Sequence, residues 1–269
     1  FQEEAEHGEV PKAPIVQAVS ENGADMLRGV CMALMNAIPT AVTVFGATFA
    51  TSASYGVGMS TTAYLWVSVV GNVVAVILIP FVGNLTDRIG RRPVMIFGCL
   101  ASGILAYPYL YFVSQDNLPM AFLFAMLMWG VVYQGYNAVF PSFYQELFPT
   151  KTRVTAFAVS QNIGTLITAF LPTIYAALVG PTPGACVVDK KFAPNVALPS
   201  GETCRQAADG IEMNVVWTVG SITFGLAIIA AIAAYSARET FRIHLNDLGM
   251  KDAQPIPREE YDRLRSASV

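Results

Sequence analysis

Asn36, Thr40 and Thr43 recur at helical spacing inside one long apolar run, and a second run carries Tyr133, Tyr136, Asn137 and Phe140 with Gln134 beside them. A third run holds Gln161, Thr165 and Thr168, flanked by Asn162. Side chains three and four positions apart share a helix face, so each set forms a polar stripe. Amides and hydroxyls donate and accept hydrogen bonds, and tyrosine adds an apolar wall that ends in a hydroxyl. Such stripes can orient a small polar ligand. Enzymatic chemistry would need buried His, Asp or Glu clusters, and these runs contain none. Interhelical hydrogen bonding, worth about 0.6 kcal/mol on average, is the competing reading of the same residues. Trp66 and Asn72 fit packing better than binding.

Charged residues cluster elsewhere. The segment Gly83-Asn84-Leu85-Thr86-Asp87-Arg88-Ile89-Gly90-Arg91-Arg92-Pro93 places one acid ahead of three arginines between two apolar runs. Gly83 and Gly90 suit a tight turn or a close backbone approach. Asp87 can face the positive N-terminal end of another helix. The arginines offer forked donors to carboxylates on neighbouring helices. A second charged segment, Glu146-Leu147-Phe148-Pro149-Thr150-Lys151-Thr152-Arg153, supplies the acid Glu146, which we expect to pair with Arg91 or Arg92.

Several functions are excluded by what the chain lacks. Its net charge of −3 and scattered basic residues offer no nucleic-acid surface. His7 and His244 lie in polar tails, so neither a metal centre nor any other cofactor is implied. A Gly-rich phosphate loop followed by Lys and Ser or Thr is missing, which disfavours ATP-driven pumping by these residues. The acidic start, Glu3, Glu4, Glu6 and Glu9, has the wrong charge for a signal peptide and reads as an internal cut.

The elements that carry these residues follow from hydropathy. Between Arg28 and Asp87 there is no Asp, Glu, Lys or Arg, a stretch that only lipid accommodates. Apolar runs predict six membrane spans, near Val30 to Ser54, Ala63 to Asn84, Pro93 to Val113, Pro119 to Tyr144, Val154 to Val179 and Asn214 to Ala237. The alternating ten-residue segments of a β-barrel are absent, so the fold class is all-α, a polytopic membrane protein. Arg28, Arg88, Arg91, Arg92, Lys151, Arg153, Arg238 and Arg242 fall on one side, whereas the short turns around 55–61 and 114–118 carry no Lys or Arg. By the positive-inside rule both termini are cytoplasmic. Lys190, Lys191 and Arg205 lie in a longer outer loop, where that rule has less weight. Cys31 and Cys99 sit in spans, while Cys186 and Cys204 share the outer loop and can form a disulfide in an oxidising compartment. The expected organisation is an acidic cytoplasmic linker over 1–28, a bundle over 29–237 with its outer loop at about 180–213, and a cytoplasmic tail over 238–269.

The segment Gly83 to Arg92 resembles the signature turn of the major facilitator superfamily, a glycine, three spacers, Asp-Arg, a spacer, a glycine and two basic residues. Phe148 to Arg153 and the Arg-Glu-Thr of Arg238 to Thr240 resemble its metabolite:proton symporter subfamily. The resemblance implies that Val30 to Ala237 are helices seven to twelve of a twelve-helix carrier, the C-terminal six-helix half. It implies transport of a small organic acid or zwitterion by proton symport across the inner membrane, with the N-terminal six-helix half as partner. In that superfamily the first and fourth helices of each bundle line the central cavity, which places ligand contacts on Asn36, Thr40, Tyr133, Gln134 and Asn137, and the polar stripe of the fifth span adds Gln161 and Asn162 as candidates. Gating roles fall on Gly83, Asp87, Arg88, Gly90, Arg91, Arg92, Glu146 and Arg153, with Asp87 meeting a helix end of the other half. No acid lies deep inside a span, so the coupling carboxylate is expected on the other half. A self-contained six-helix channel or membrane sensor is the alternative; it would need a pore-lining repeat or an appended sensor domain.

Overall fold

A chain in lipid must satisfy its backbone polar groups internally, and long helices do so. The computed structural model describes residues 14–149, 151–189, 191–243 and 254–267. Glu3, Glu4, Glu6, Glu9, His7, His244 and Lys190 lie outside the described residues. Among the described residues, six helices are long and apolar enough to cross a membrane: α1 (Ile15–Thr51), α2 (Thr61–Ile89), α3 (Arg91–Ser114), α4 (Leu118–Glu146), α5 (Arg153–Val179) and α6 (Cys204–Ser236). A short helix, α7 (Arg258–Ala267), follows them. A small antiparallel hairpin, β1 (Val187–Val188) with β2 (Lys191–Phe192), lies between α5 and α6. The chain is an all-α polytopic membrane protein.

Helix ends depart from the hydropathy reading where packing replaces lipid. Helix α1 starts far ahead of Val30. Its first turns are polar and are held by contacts: Asn22 Nδ2 donates to Thr152 Oγ1 at 3.4 Å, and Asp25 is buried. Helix α6 begins at Cys204 behind a capping box, in which Gln206 Oε1 accepts from the Thr203 N–H at 2.9 Å and Thr203 Oγ1 accepts from the Gln206 N–H at 3.4 Å. Helix α2 continues to Ile89, so the expected turn after Gly83 contracts to Gly90, at φ +96°. Asp87 and Arg88 therefore end α2, while Arg91 and Arg92 open α3. Gly83 makes no tight turn: it lies within α2, and a Cβ there would meet nothing within 4 Å.

Two helices wind unevenly at mid-length. Helix α1 passes through a 3₁₀ turn at Leu34–Asn36 and a π-helical stretch at Thr40–Phe45. Helix α4 is π-helical over Met126–Tyr133. Such wide turns rotate the side chains beyond them and are concentrated at functional sites. Helix α5 breaks at Phe170, ahead of Pro172.

Lipid tails are as apolar as leucine, so these helices associate through close packing and hydrogen bonds. Gly164 on α5 lies so close to α1 that a Cβ would stand 2.4 Å from Ala33 Cβ. Tyr64 on α2 donates to Val42 O on α1 at 2.6 Å, and Trp129 Nε1 on α4 donates to Asn72 Oδ1 on α2 at 3.3 Å. Tyr107 on α3 shares a hydrogen bond with Ser221 on α6 at 3.0 Å, as Tyr175 on α5 does with Thr223 on α6 at 3.1 Å. The outward side of α2 is apolar, with Leu65, Trp66, Val76 and Phe81 exposed.

Candidate functional site

The close crossing at Gly164 brings the polar stripes of α1 and α5 together, and the π-helical stretch of α4 delivers Tyr133 to the same place. Tyr133 donates to Asn36 Oδ1 at 3.4 Å, and Asn36 Nδ2 donates to Thr165 Oγ1 at 3.0 Å. One asparagine thus joins α1, α4 and α5. Thr40 closes the α1 side by donating to Asn36 O at 2.8 Å. A turn further along α4, Asn137 Nδ2 donates to Gln134 Oε1 at 3.2 Å. Tyr133 and Gln134 are buried, Asn36 is half-buried, and Asn137 and Thr165 are exposed. The cluster therefore runs from the interior to an open face.

The other members of the stripes divide. Gln161 shares the Thr165 face one turn away, and its Oε1 is buried with no hydrogen-bond partner. Asn162 is exposed, and its amide donates to Ala158 O on its own helix at 2.7 Å. Tyr136 donates to Met32 O at 2.7 Å, and Phe140 stacks between Tyr136 and Tyr144 at 5.6 and 5.7 Å. These rings form a ladder along α4 that the Tyr136 hydroxyl fastens to α1. The arrangement can orient a small polar ligand through several donors and acceptors, and it carries no charge of its own. Among the described residues there is no cluster of His, Cys, Asp and Glu able to hold a metal.

The charged residues gather at one end of the bundle. Arg91 forms an ion pair with Glu146 at the end of α4, and its guanidinium donates to Thr240 Oγ1 at 3.1 Å. Glu239 caps α3: its carboxylate accepts from the Arg91 and Arg92 N–H groups at 3.3 and 3.2 Å. A carboxylate there complements the positive end of the helix. Gly90 makes room for it, since a Cβ on Gly90 would lie 3.2 Å from Glu239 Oε2. Arg92 reaches Tyr235 O and lies over the Tyr235 ring at 5.2 Å, while Arg153 Nε donates to Phe148 O at 3.2 Å. Arg88 is exposed and Asp87 half-buried at the end of α2.

A second ion cluster escapes the sequence reading. Asp25 on α1 pairs with Arg28 and with Arg238, 3.4 Å away, and Arg238 also donates to Leu147 O at 2.9 Å. Asp25 stands among polar residues ahead of the first apolar run, and only the packing of α1 onto the ends of α4 and α6 buries it. Its position three residues before Arg28 was the available signal. At the opposite end Cys186 and Cys204 form a disulfide, and Thr182 donates twice to Ser54 O, at 2.8 Å from its N–H and 3.0 Å from its hydroxyl.

Six long apolar helices among the described residues, a glycine joint between Asp-Arg and Arg-Arg, and a charged end that ties α3 to α4 and α6 define a polytopic membrane bundle. The Major Facilitator Superfamily profile matches residues 28–189 of the 269. The chain belongs to that superfamily. It is similar to the glycine betaine/proline/ectoine/pipecolic acid transporter OusA of Dickeya dadantii, 37% identical over 100 residues, which are 37% of this chain and 20% of the relative. It is similar to the proline/betaine transporter of Escherichia coli, 34% identical over the same shares of the two chains. It also resembles the citrate-proton symporter of Klebsiella pneumoniae, 29% identical over 38% of this chain and 23% of the relative. The matches thus span only about a fifth to a quarter of those relatives. No solved structure matches.

Proposed function

We propose that this chain is the C-terminal six-helix half of a secondary carrier. It moves a small organic acid or zwitterionic metabolite across the inner membrane by alternating access, driven by proton symport. The observation that carries the reading is the polar cluster of Asn36, Tyr133 and Thr165, continued by Gln134 and Asn137. Polar groups this far into apolar helices are costly against lipid. A face that leaves Asn137 and Thr165 open serves a site completed by another bundle, as carriers built from repeats require.

Several finer points belong to this reading. Asn36, Thr40, Tyr133, Gln134, Asn137 and Gln161 contribute ligand contacts, with Asn162 at the margin. The charged end is cytoplasmic, as are both termini of the bundle; residues 1–28, the later part of which opens α1, are the linker, and 238–269 are the tail. Asp87, Arg88, Arg91, Arg92, Glu146 and Arg153 stabilise the state closed on that side, with Gly83 and Gly90 shaping the segment. The relatives are named as carriers of betaines, proline and citrate, which supports a small polar ligand and leaves its identity open.

The test is ligand binding to the complete carrier with Gln134→Ala or Asn137→Ala, each checked for normal folding. Losing one hydrogen bond while its partner stays polar costs about 1–3 kcal/mol, about a fivefold to hundredfold loss of affinity. Unchanged affinity in both variants would move the site off α4.

A further inference from the structure

At the end of the bundle opposite the charged turns, the first turns of α6 carry a buried stripe of Cys204, Ala208 and Glu212 that continues into Val215 and Val216. A loop is stapled over this stripe. Cys186 is bonded to Cys204, Thr182 is tied to Ser54 O, and the Cys204 N–H donates back to Val196 O at 2.9 Å. Beneath the loop lies the turn after α1, where a Cβ on Gly56 would stand 2.8 Å from Ala208 and 3.2 Å from the Phe192 ring. Glu212, one helical turn deeper than Ala208, is 1% exposed, and its Oε1 has no hydrogen-bond donor.

The surroundings leave this carboxyl poorly served. Arg205 is 3.7 Å from Glu212 Oε1, but its Nε is engaged by Asp209 at 2.9 Å, on the exposed side of the helix. Among the described residues of the elements packed around this end, the titratable side chains are Tyr55 in the turn after α1, Tyr175 on α5, and Tyr107, Tyr109 and Tyr111 on α3. Burial pushes the Tyr55 phenol above its usual range, so it stays neutral. Asp189, Lys191 and Glu202 of the loop and Asp116 of the α3–α4 turn are exposed.

We propose that Glu212 is a proton-binding site at the outer end of this bundle, and that its proton keeps the stapled loop seated on α6. A buried carboxylate whose Oε1 receives no hydrogen bond and whose paired cation, Arg205, stands 3.7 Å away is unfavourable, and a proton removes the charge. When the proton leaves, the Arg205 Nη1 must close in from 3.7 Å or water must enter, and either disturbs the stripe on which the loop is stapled. This goes beyond the transport reading, because it holds whatever ligand is carried and requires no ligand in its test.

The complete protein in lipid vesicles is compared by infrared difference spectroscopy between about pH 5 and about pH 8, a range that spans the shifts buried carboxyls show. A protonated-carboxyl band is expected that disappears in Glu212→Gln. Protease cleavage of the outer loop is expected to rise several-fold with pH in the unaltered protein and to stay low throughout in Glu212→Gln. Arg205→Gln removes an opposite charge at an exposed position and should move the midpoint up by about one pH unit. A band that persists in Glu212→Gln, or a loop that responds to pH identically in both proteins, overturns the proposal. Should Glu212→Gln fail to fold, Arg205→Gln decides alone: a shifted midpoint supports the site and an unmoved one overturns it.

Discussion

Asn36 is the residue on which the polar cluster turns, because it accepts from α4 and donates to α5. Its two partners are unequal. The bond from Tyr133 is long at 3.4 Å, so Tyr133→Phe should cost only about 0.6 kcal/mol of stability. Asn36→Ala removes both bonds and leaves the buried Tyr133 hydroxyl unpaired, which should cost about 1–3 kcal/mol. Thermal unfolding of the complete carrier in detergent measures both, and equal shifts would show that the asparagine is not the joint. The amide stripe was visible from sequence, because a polar residue every three or four positions in an apolar run stands out. That Thr165 rather than Asn162 meets Asn36 was not visible, because the two lie on neighbouring sectors of one helix and only the crossing angle chooses between them.

At the scale of elements, the crossing of α1 and α5 at Gly164 sets the geometry of the site. Gly164→Val would drive methyl groups into Ala33 and the Val30 carbonyl, which a Cβ would approach to 2.4 and 3.0 Å. Overpacking of this kind typically costs about 1–3 kcal/mol, and here it would also separate Asn36 from Thr165. We expect a lower unfolding temperature together with weakened ligand binding. Gly225→Ala, in α6 with nothing within 4 Å of a Cβ, is the matched control and should be close to neutral. A stable Gly164→Val protein with intact binding would mean that the helices can part without disturbing the site. Sequence periodicity marked which residues lie on a helix but not the 3₁₀ and π-helical stretches of α1 and α4. Those local changes of winding depend on what each helix packs against, and Pro39 was the only local hint of them in α1.

For the whole molecule, the charged end ties the α2–α3 joint to the ends of α4 and α6 through Arg91, Glu146, Glu239 and Thr240. In a carrier with alternating access, bonds made in only one conformation shift the equilibrium between states. Asp87→Asn and Arg91→Ala in the complete carrier should therefore cut uptake several-fold while membrane abundance stays near normal. A coupling of 1–3 kcal/mol, a common size, corresponds to about 5- to 150-fold. Normal uptake in both variants would leave the network a purely structural role. Glu239 strengthens the case, since its carboxylate holds the first turn of α3 from a segment that follows α6.

The chain by itself determined that it crosses a membrane six times, because lipid demands long uncharged helices and hydropathy reads them directly. It also placed a glycine joint beside the charged segment, although only the structure chose Gly90, at φ +96°, over Gly83, which lies within α2. Tertiary structure decided the rest. Residues 15–29 became part of α1 because Thr152 ahead of α5 and Arg238 after α6 receive their polar groups, a gain that no apolar run records. Glu212, which from sequence stood in a polar loop with Arg205 and Asp209, became buried in the first turns of α6, on the stripe that begins at the disulfide-bonded Cys204. Hydropathy measures a residue against lipid or water, whereas burial of a charge depends on which distant segment folds over it.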